Sequence, residues 1–172
     1  YVLGGWQRQR CIRERVAALE EPLVISPLSV AVKIKPNGEV KKRLVLDCSR
    51  HLNLHLPADH IKMSTFATVI ADLYEGDYMA SCDLSAAFHH VRLHPDSYKY
   101  VGFALDLDDG RGIIFFHFCI LVFGLKTAGQ TLTRVLKPII IWLGQDGVRL
   151  KFYIDDGIVS ARGKVKADKD YA

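Results

Sequence analysis

The sequence predicts an α+β fold, in which helices pack on one face of an antiparallel sheet. Two observations lead to this prediction. Of the 172 residues, 49% are apolar and 24% are charged, a composition that is typical of a folded domain with a buried core. Short β-rich runs and longer helical runs are mixed along the chain, and they do not alternate strictly as strand, helix and strand.

The first half of the chain predicts a helix, a hairpin and a second helix. Residues 7–21 carry charged and apolar side chains at helical spacing. Residues 28–49 contain two β-rich runs on either side of the PNG sequence at 36–38, and Asn-Gly is the strongest short signal for a hairpin. Residues 64–74 predict a helix with Ser64 as its N-cap.

The second half predicts two strand pairs and a long helix. In order, we expect a strand at 78–93 that runs into a short turn or helix at Ala86–His90, two strands at 101–107 and 112–118 joined by a turn, a helix at 127–147, and two short strands within 148–161. Pro138 should kink the long helix, and Gly144 or Gly147 should end it. Asp155 and Asp156 fall at the bend between the last two strands.

Charge and cysteine content limit the partners and the compartment. The first 50 residues hold 10 of the 23 Lys and Arg but only 5 of the 19 Asp and Glu, which suggests either a polyanionic partner or an ordinary solvated basic surface. The four cysteines show no pairing pattern and predict buried, free thiols in a reducing compartment. The most apolar run, 112–125, is too short to span a bilayer. We therefore expect an intracellular protein, cytoplasmic or nuclear, with no membrane partner.

Adjacent aspartates in a β-rich segment are the most informative feature of the sequence. Asp155 and Asp156 lie between the runs KFYI and GIVS, and two carboxylates held close together repel each other unless a cation is present. Asp83 follows the apolar run MASC, so the three carboxylates would converge if the two strands were neighbours. Such an all-oxygen cluster suits Mg²⁺ or Mn²⁺. The alternative is an acidic turn, in which Asp side chains bond the nearby backbone.

Four segments in a fixed order resemble the motifs of reverse transcriptases. Tyr153–Asp156 resembles their Y-x-D-D motif, and Asp83–Phe88 resembles the motif D-L-x-x-A-[FY]. Phe123–Ala128 is similar to F-G-L-K-x-A. The segment from Arg43 to Asn53 is similar to R-x-x-x-D-x-R-x-x-N, with one extra residue after Asp47. The closest resemblance is to retrotransposons of the DIRS type, and gypsy-type elements are the second choice.

This resemblance implies the fingers and palm of a right-hand polymerase, with the thumb absent and an antiparallel palm sheet. Residues of about 22–77 and 94–120 would form mainly the fingers, and residues of about 78–93 and 121–172 mainly the palm. The implied activity is that of an RNA-directed DNA polymerase, a nucleotidyltransferase. It would transfer a nucleotide from a dNTP to a primer 3′-hydroxyl on an RNA or DNA template, with two Mg²⁺ ions, or Mn²⁺ in their place.

The resemblance also implies roles for single residues. The catalytic residues would be Asp83, Asp155 and Asp156, and these would bind the metal ions together with the carbonyl of Leu84. The dNTP would be bound by Lys35, Arg43, Ser85, Ala86, Ala87, Phe88, Phe123 and Gly124. Primer or template would contact Tyr153, Ile154 and Lys126. The bulk of Phe88 would exclude a ribose 2′-hydroxyl. Lys35 is preferred over Lys33 because strand alternation should point it the same way as Arg43.

Two other functions stay open. A chain with these motifs is also compatible with a catalytically inactive, nucleic-acid-binding remnant of a retroelement, or with an RNA-templated RNA polymerase. The beginning of the chain at Tyr1 favours a fragment of a longer protein. A zinc site at Cys48, His51, His55 and His60 is disfavoured, because this spacing has no convincing second half.

Overall fold

The computed structural model describes residues 22–57, 64–106, 108, 110 and 112–171. The described residues form two compact units: unit 1 lies within Tyr1–Pro57 and Phe88–Ala128, and unit 2 lies within Ala58–Ala87 and Gly129–Ala172. The helix predicted at residues 7–21 lies outside the described residues. These units divide the chain at positions other than the predicted boundaries between fingers and palm, and that assignment stays a prediction.

The described elements are antiparallel strands and helices in mixed order. They are β1 (Leu28–Ile34), β2 (Val40–Leu46), α1 (Leu52–His55), α2 (Phe66–Ile70), β3 (Asp77–Asp83), β4 (Gly102–Asp106), β5 (Ile113–His117), α3 (Ala128–Gln145), β6 (Arg149–Tyr153), β7 (Asp156–Arg162) and α4 (Lys164–Tyr171). Two 3₁₀ helices, Ala87–His90 and Pro95–Tyr100, lie between β3 and β4. The described strands form three antiparallel sheets, β1–β2, β3–β7–β6 and β4–β5.

Unit 1 contains two hairpins and an apolar core. β1 pairs with β2 and β4 pairs with β5, both antiparallel. The turn after β1 has Gly38 at φ +80°, which confirms the hairpin predicted from the Asn-Gly sequence. Each hairpin pairs two strands that follow each other in the sequence, and each forms a two-stranded sheet. The buried core residues are Leu46, Cys48, Val101 and Val122, with Leu28, Leu52, Leu93, Phe103, Phe118 and Leu125 packed against them.

Unit 2 contains the three-stranded sheet, with β7 as its central strand. α4 lies against β7 and β3 and buries Ala167. α3 spans Pro138, as predicted, and ends at Gln145, shortly before Gly147 at φ +79°. The Val148 N–H donates to the Leu143 carbonyl at 3.0 Å, so the chain reverses directly into β6.

Several predicted elements differ from the structure. The second helix is α2, which covers only Phe66–Ile70, and its N-cap is Thr65 rather than Ser64. The Thr65 side chain accepts from the Thr68 N–H, and the Thr68 hydroxyl oxygen accepts from the Thr65 N–H at 2.8 Å. The short helix α1 and the polar helix α4 were not predicted. Cys48 is a buried free thiol, as predicted, but Cys82 is exposed rather than buried.

No helix in the part of the chain that the structure describes is long and apolar enough to cross a membrane.

Gly124 in unit 1 is required by packing as well as by its backbone angle. Its φ is +102°, and a Cβ at this position would overlap the Leu46 carbonyl oxygen. We expect Gly124→Ala to lower the free energy of unfolding by at least about 3 kcal/mol, measured by urea denaturation. The matched control is Gly38→Ala, whose φ is +80° with no atom within 4 Å of the added Cβ. It should cost about 1–2 kcal/mol, the penalty of the left-handed conformation alone. Equal losses would contradict the proposed overlap with Leu46.

Candidate functional site

The pairing of β3 with β7 brings the predicted aspartates to one end of the sheet in unit 2. Asp83, the last residue of β3, is the register partner of Asp156, the first residue of β7, and Asp156 is also paired with Tyr153 of β6. The Leu84 N–H donates to the Asp155 carbonyl at 3.0 Å. The two aspartates that we predicted at the bend are therefore not equivalent. Asp155 lies in the turn, whereas Asp156 is already in the central strand.

The turn between β6 and β7 is strained. It has two residues, Ile154 and Asp155, and Ile154 has φ +60°. A positive φ at the first turn residue alone matches a type II′ hairpin, where glycine is the usual residue. A β-branched residue in this conformation is a clear outlier, and such strain often accompanies functional sites. A Cβ at Gly129, near the start of α3, would be 3.8 Å from Ile154 Cδ1, so this glycine lies against the turn.

The segment after Asp83 forms a second tight turn. Ala86 has φ +54°, and the Ala87 N–H donates to the Leu84 carbonyl at 3.2 Å. Ala87 is buried, whereas Ser85 and Ala86 are exposed. Small side chains at an exposed turn leave the backbone accessible to a ligand, and amides at such a turn can bind phosphate oxygens.

The donor atoms at this end of the sheet fit a hard divalent cation. Asp83, Asp155 and Asp156 supply carboxylate oxygens, and the Leu84 carbonyl has a second lone pair besides the one used by Ala87. Among the residues that the structure describes, no group of three or more His, Cys, Asp or Glu side chains is arranged as a metal site. The backbone therefore gathers the three aspartates, while their side chains do not form a complete ligand set by themselves.

Three of the predicted dNTP-binding residues contact one another within unit 1. The Phe88 and Phe123 rings meet edge to face, with centroids 4.8 Å apart and an interplanar angle of 74°. The Arg43 guanidinium carbon lies 5.7 Å from the centroid of the Phe123 ring. This is a cation–π arrangement, so Phe123 orients both the arginine and the second aromatic ring.

Strand alternation does not distinguish Lys33 from Lys35, the two candidate dNTP-binding lysines on the hairpin of β1 and β2. Arg43 is the register partner of Ala31, and Lys33 is the partner of Lys41, so all four lie on one face of the hairpin. Lys35 continues the same alternation, and its Nζ forms an ion pair with Glu39 at 2.7 Å. The preference for Lys35 over Lys33 thus has no support from orientation, and binding an anion at Lys35 would compete with Glu39.

Asn53 is a residue whose role the sequence reasoning missed. Its Nδ2 donates to the Gly124 carbonyl and its Oδ1 accepts from the Lys126 N–H, both at 2.8 Å. Lys126 Nζ also donates to the Leu56 carbonyl at 3.4 Å. Asn53 therefore holds the segment that carries Phe123, Gly124 and Lys126. The motif that contains Asn53 was recognised, but a contact across 71 residues has no local signal.

Upstream of Asn53, Asp47 is held by hydrogen bonds rather than by an ion pair. Its Oδ1 accepts from the Ser49 hydroxyl and from the Ser49 N–H. These bonds lower the pKa of Asp47 below its ordinary value of 3.8. Asp47 is thus an ionised cap for the turn that leads into α1, and it fixes the direction in which the chain leaves β2.

Comparisons with known proteins agree with these motifs. The family model described as reverse transcriptase (RNA-dependent DNA polymerase) matches residues 38–172. The retrovirus-related Pol polyprotein from transposon 412 of Drosophila melanogaster is 30% identical over 155 residues, which is 89% of this chain and 12% of that polyprotein. The Pol polyprotein from transposon gypsy of the same organism is 28% identical over 122 residues, 71% of this chain and 11% of that polyprotein. The chain thus spans about an eighth or less of these relatives, and the choice between DIRS-like and gypsy-type elements stays a prediction.

Solved structures show the same fold. The foamy viral protease-reverse transcriptase in complex with double-stranded DNA has a TM-score of 0.71 and 19% identity, over 96% of this chain and 26% of that chain. A mutant of the prototype foamy virus protease-reverse transcriptase has a TM-score of 0.66 and 18% identity, over 99% of this chain and 22% of that chain. These likenesses support a mixed α/β fold with antiparallel sheets.

Asn53 offers a test of how the segment Phe123–Lys126 is held. We expect Asn53→Ala to destabilise the chain by about 1–3 kcal/mol, since two hydrogen bonds are lost. Asn53→Asp keeps the acceptor for Lys126 but sets a carboxylate oxygen against the Gly124 carbonyl oxygen, so it should cost at least as much as Asn53→Ala. Urea denaturation measures both. A loss below about 0.5 kcal/mol in both variants would contradict the roles of Asn53 as donor to Gly124 and acceptor from Lys126.

Proposed function

The chain belongs to the reverse transcriptase (RNA-dependent DNA polymerase) family, and we propose that it carries the catalytic centre of an RNA-directed DNA polymerase. It would extend a primer 3′-hydroxyl with dNTPs on an RNA or DNA template. The observation that carries this proposal is the register that pairs Asp83 with Asp156 beside the bond between Leu84 and Asp155.

We assign metal binding to Asp83, Asp155 and the Leu84 carbonyl, with Asp156 as a further carboxylate. Two Mg²⁺ or Mn²⁺ ions bound there would supply the Lewis acid for nucleotidyl transfer, at the attacking hydroxyl and at the leaving phosphate. The strained Ile154 holds Asp155 in the turn, and the paired strands hold Asp83 and Asp156. The paired strands therefore bring the backbones of the three aspartates together, which would reduce the cost of assembling the site when metal ions bind.

We assign dNTP binding to the turn after Asp83 and to residues of unit 1. The backbone amides of Ser85, Ala86 and Ala87 would bind phosphate oxygens. Arg43 would add paired, charge-assisted bonds to the triphosphate, and Lys35 a second positive charge. Gly124 and Phe123 complete this set. The support within unit 1 is the contact of Arg43 and Phe88 with the same Phe123 ring.

We assign primer and template contacts to Tyr153, Ile154 and Lys126. Tyr153 is 54% exposed although it is paired in the sheet with Asp156, so its ring is available to a nucleic acid. β3, β6 and β7, which carry the aspartates, would belong to the palm, and the two hairpins of unit 1 would belong to the fingers. A primer–template and dNTPs are then the partners of this chain, and the foamy viral structure with bound double-stranded DNA is that of a related fold.

Replacement of Asp155 distinguishes an active polymerase from the catalytically inactive, nucleic-acid-binding remnant. We expect Asp155→Asn to reduce primer extension with Mg²⁺ on an RNA template by about 10³-fold, the loss that corresponds to several kcal/mol of charge stabilisation. The control is Asp146→Asn, an exposed aspartate that follows α3. Since this chain spans 11–12% of those relatives, the assay uses the whole protein as well as the chain itself. Extension that survives Asp155→Asn, or that is absent from the whole wild-type protein, would contradict the proposal.

Replacement of Phe88 tests the choice of sugar and thereby the RNA polymerase alternative. We expect Phe88→Val to raise incorporation of ribonucleotides relative to deoxynucleotides by about 10–100-fold, because space opens for the 2′-hydroxyl. Phe88→Tyr keeps the ring and its edge-to-face contact with Phe123, and should keep the preference for deoxynucleotides. Single-nucleotide incorporation kinetics give both ratios. An unchanged ratio in Phe88→Val would contradict the steric role, and a wild-type preference for ribonucleotides would favour the alternative.

A further inference from the structure

The register of β3 needs a fixed point, because the strand buries little of its own surface. Among the described strands β3 pairs only with β7, and it lies at the edge of the sheet. Five of its seven side chains are exposed: Tyr78, Met79, Ser81, Cys82 and Asp83. A strand without a buried face specifies its register weakly, and a slip of one residue turns every side chain to the opposite face.

A buried ion pair lies at the other end of the same strand. Asp77 Oδ2 accepts from Arg149 Nη1 at 2.8 Å and from the Tyr74 N–H at 2.9 Å. Arg149 Nη1 also donates to the Asp72 carbonyl at 2.8 Å. The Asp77 side chain is 2% exposed and that of Arg149 is 26% exposed. The first residue of β3 is therefore tied to the first residue of β6, across the central strand.

A tyrosine and a second arginine extend this contact to β7. The guanidinium carbons of Arg149 and Arg162 lie 5.5 Å and 5.0 Å from the centroid of the Tyr74 ring. Arg162 is also the register partner of Asp77. We call Tyr74, Asp77, Arg149 and Arg162 the register clamp. It joins all three strands at the end of the sheet that is farthest from Asp83 and Asp156.

The two charges at the centre of the clamp depend on each other. The hydrogen bond from Arg149 lowers the pKa of Asp77, and the same bond raises the pKa of Arg149. Asp77 Oδ1 and Arg149 Nη2 are buried and form no hydrogen bond among the described residues. Loss of either partner would leave the other charge partly buried and without its ion pair, which is destabilising.

We infer that the register clamp is a positioning device for the candidate catalytic carboxylates. Asp77 and Asp83 are six residues apart on β3, so both lie on the same face of the sheet. When the clamp fixes Asp77 opposite Arg162, Asp83 is opposite Asp156. A slip of one residue would place Cys82 or Leu84 opposite Asp156 instead. The role of the clamp in catalysis rests on the proposed function, but the register of β3 against β7 can be measured without any activity.

Cysteine pairs can report the register directly. With Cys82 replaced by serine and Ser160 by cysteine, a second cysteine is placed at Tyr78, Met79 or Ala80. Met79 is the register partner of Ser160, so Met79→Cys should form the disulfide in the wild-type clamp. The side chains at positions 78 and 80 point to the other face of the sheet. A cysteine at either position should therefore form the disulfide with position 160 only after β3 slips by one residue, in one direction for Tyr78→Cys and in the other for Ala80→Cys.

The clamp variant is Asp77→Asn combined with Arg149→Gln, which leaves no unpaired buried charge. We expect the fraction of disulfide formed from positions 78 and 80 to rise by at least about tenfold in this variant. The matched control is Lys151→Gln, which lies on β6, as Arg149 does. It removes an exposed ion pair between Lys151 and Asp72 and leaves Asp77 and Arg149 unchanged. It should leave the register unchanged. A folded clamp variant that cross-links only from position 79 would overturn the inference.

A second measurement covers a clamp variant that fails to fold. In that case the oxidised Met79→Cys/Ser160→Cys disulfide should restore folding, seen by circular dichroism, because the cross-link replaces the clamp as the fixed point. A variant that stays unfolded with this disulfide formed would overturn the inference. Where the wild type extends primers, the same disulfide should also restore extension to the clamp variant. If the wild type extends no primers, the proposed function is wrong. The cross-linking result still shows whether the clamp sets the register of β3.

Discussion

The pairing of Asp83 with Asp156 is the contact on which the candidate site depends. It places like charges at one end of a three-stranded sheet, next to Asp155 in the adjoining turn. Carboxylates held this close repel each other when no cation is bound. At the opposite end of β3, roughly 20 Å away at about 3.3 Å per residue, Asp77 and Arg149 form an ion pair of opposite charges. The ion pair of Asp77 and Arg149 thus anchors one end of β3, and the like charges of Asp83 and Asp156 lie at its other end.

Backbone strain and close packing are concentrated around the predicted ligand-binding segments. Ile154 and Ala86 have positive φ in the two turns that follow β6 and β3, and each costs about 1–3 kcal/mol. Gly124 in unit 1 has a positive φ and no room for a side chain against Leu46. Gly124, which the family resemblance assigns to dNTP binding, is therefore also explained by packing. Asn53 then holds this segment through two hydrogen bonds, so that a residue outside the predicted set supports three within it.

Local signals predicted the elements that depend on local chemistry. The Asn-Gly turn, the long helix α3 through Pro138 and the hairpin of β6 and β7 were all found near their predicted positions. The helix predicted at 64–74 was too long. After Ile70 the Asp72 and Leu73 N–H groups donate to carbonyls three residues back, and the Tyr74 N–H donates to the Asp77 side chain in the next strand. α4 was missed because its contact with the sheet depends on the single buried residue Ala167, which gives no apolar periodicity. Strand alternation could not separate Lys33 from Lys35, since both share the face of Arg43.

The sequence by itself determined the order and spacing of four motifs, the identity of the aspartates and the chemistry of the turns. Those features depend on residues that are close together in the chain, and they sufficed to indicate the family. Only the tertiary structure decided which residue stands opposite Asp83, which side chain holds Gly124 and what anchors the first residue of β3. Each of these contacts joins residues about 70 positions apart. A period of two along a strand defines its faces but leaves its register to whichever distant groups pair with it.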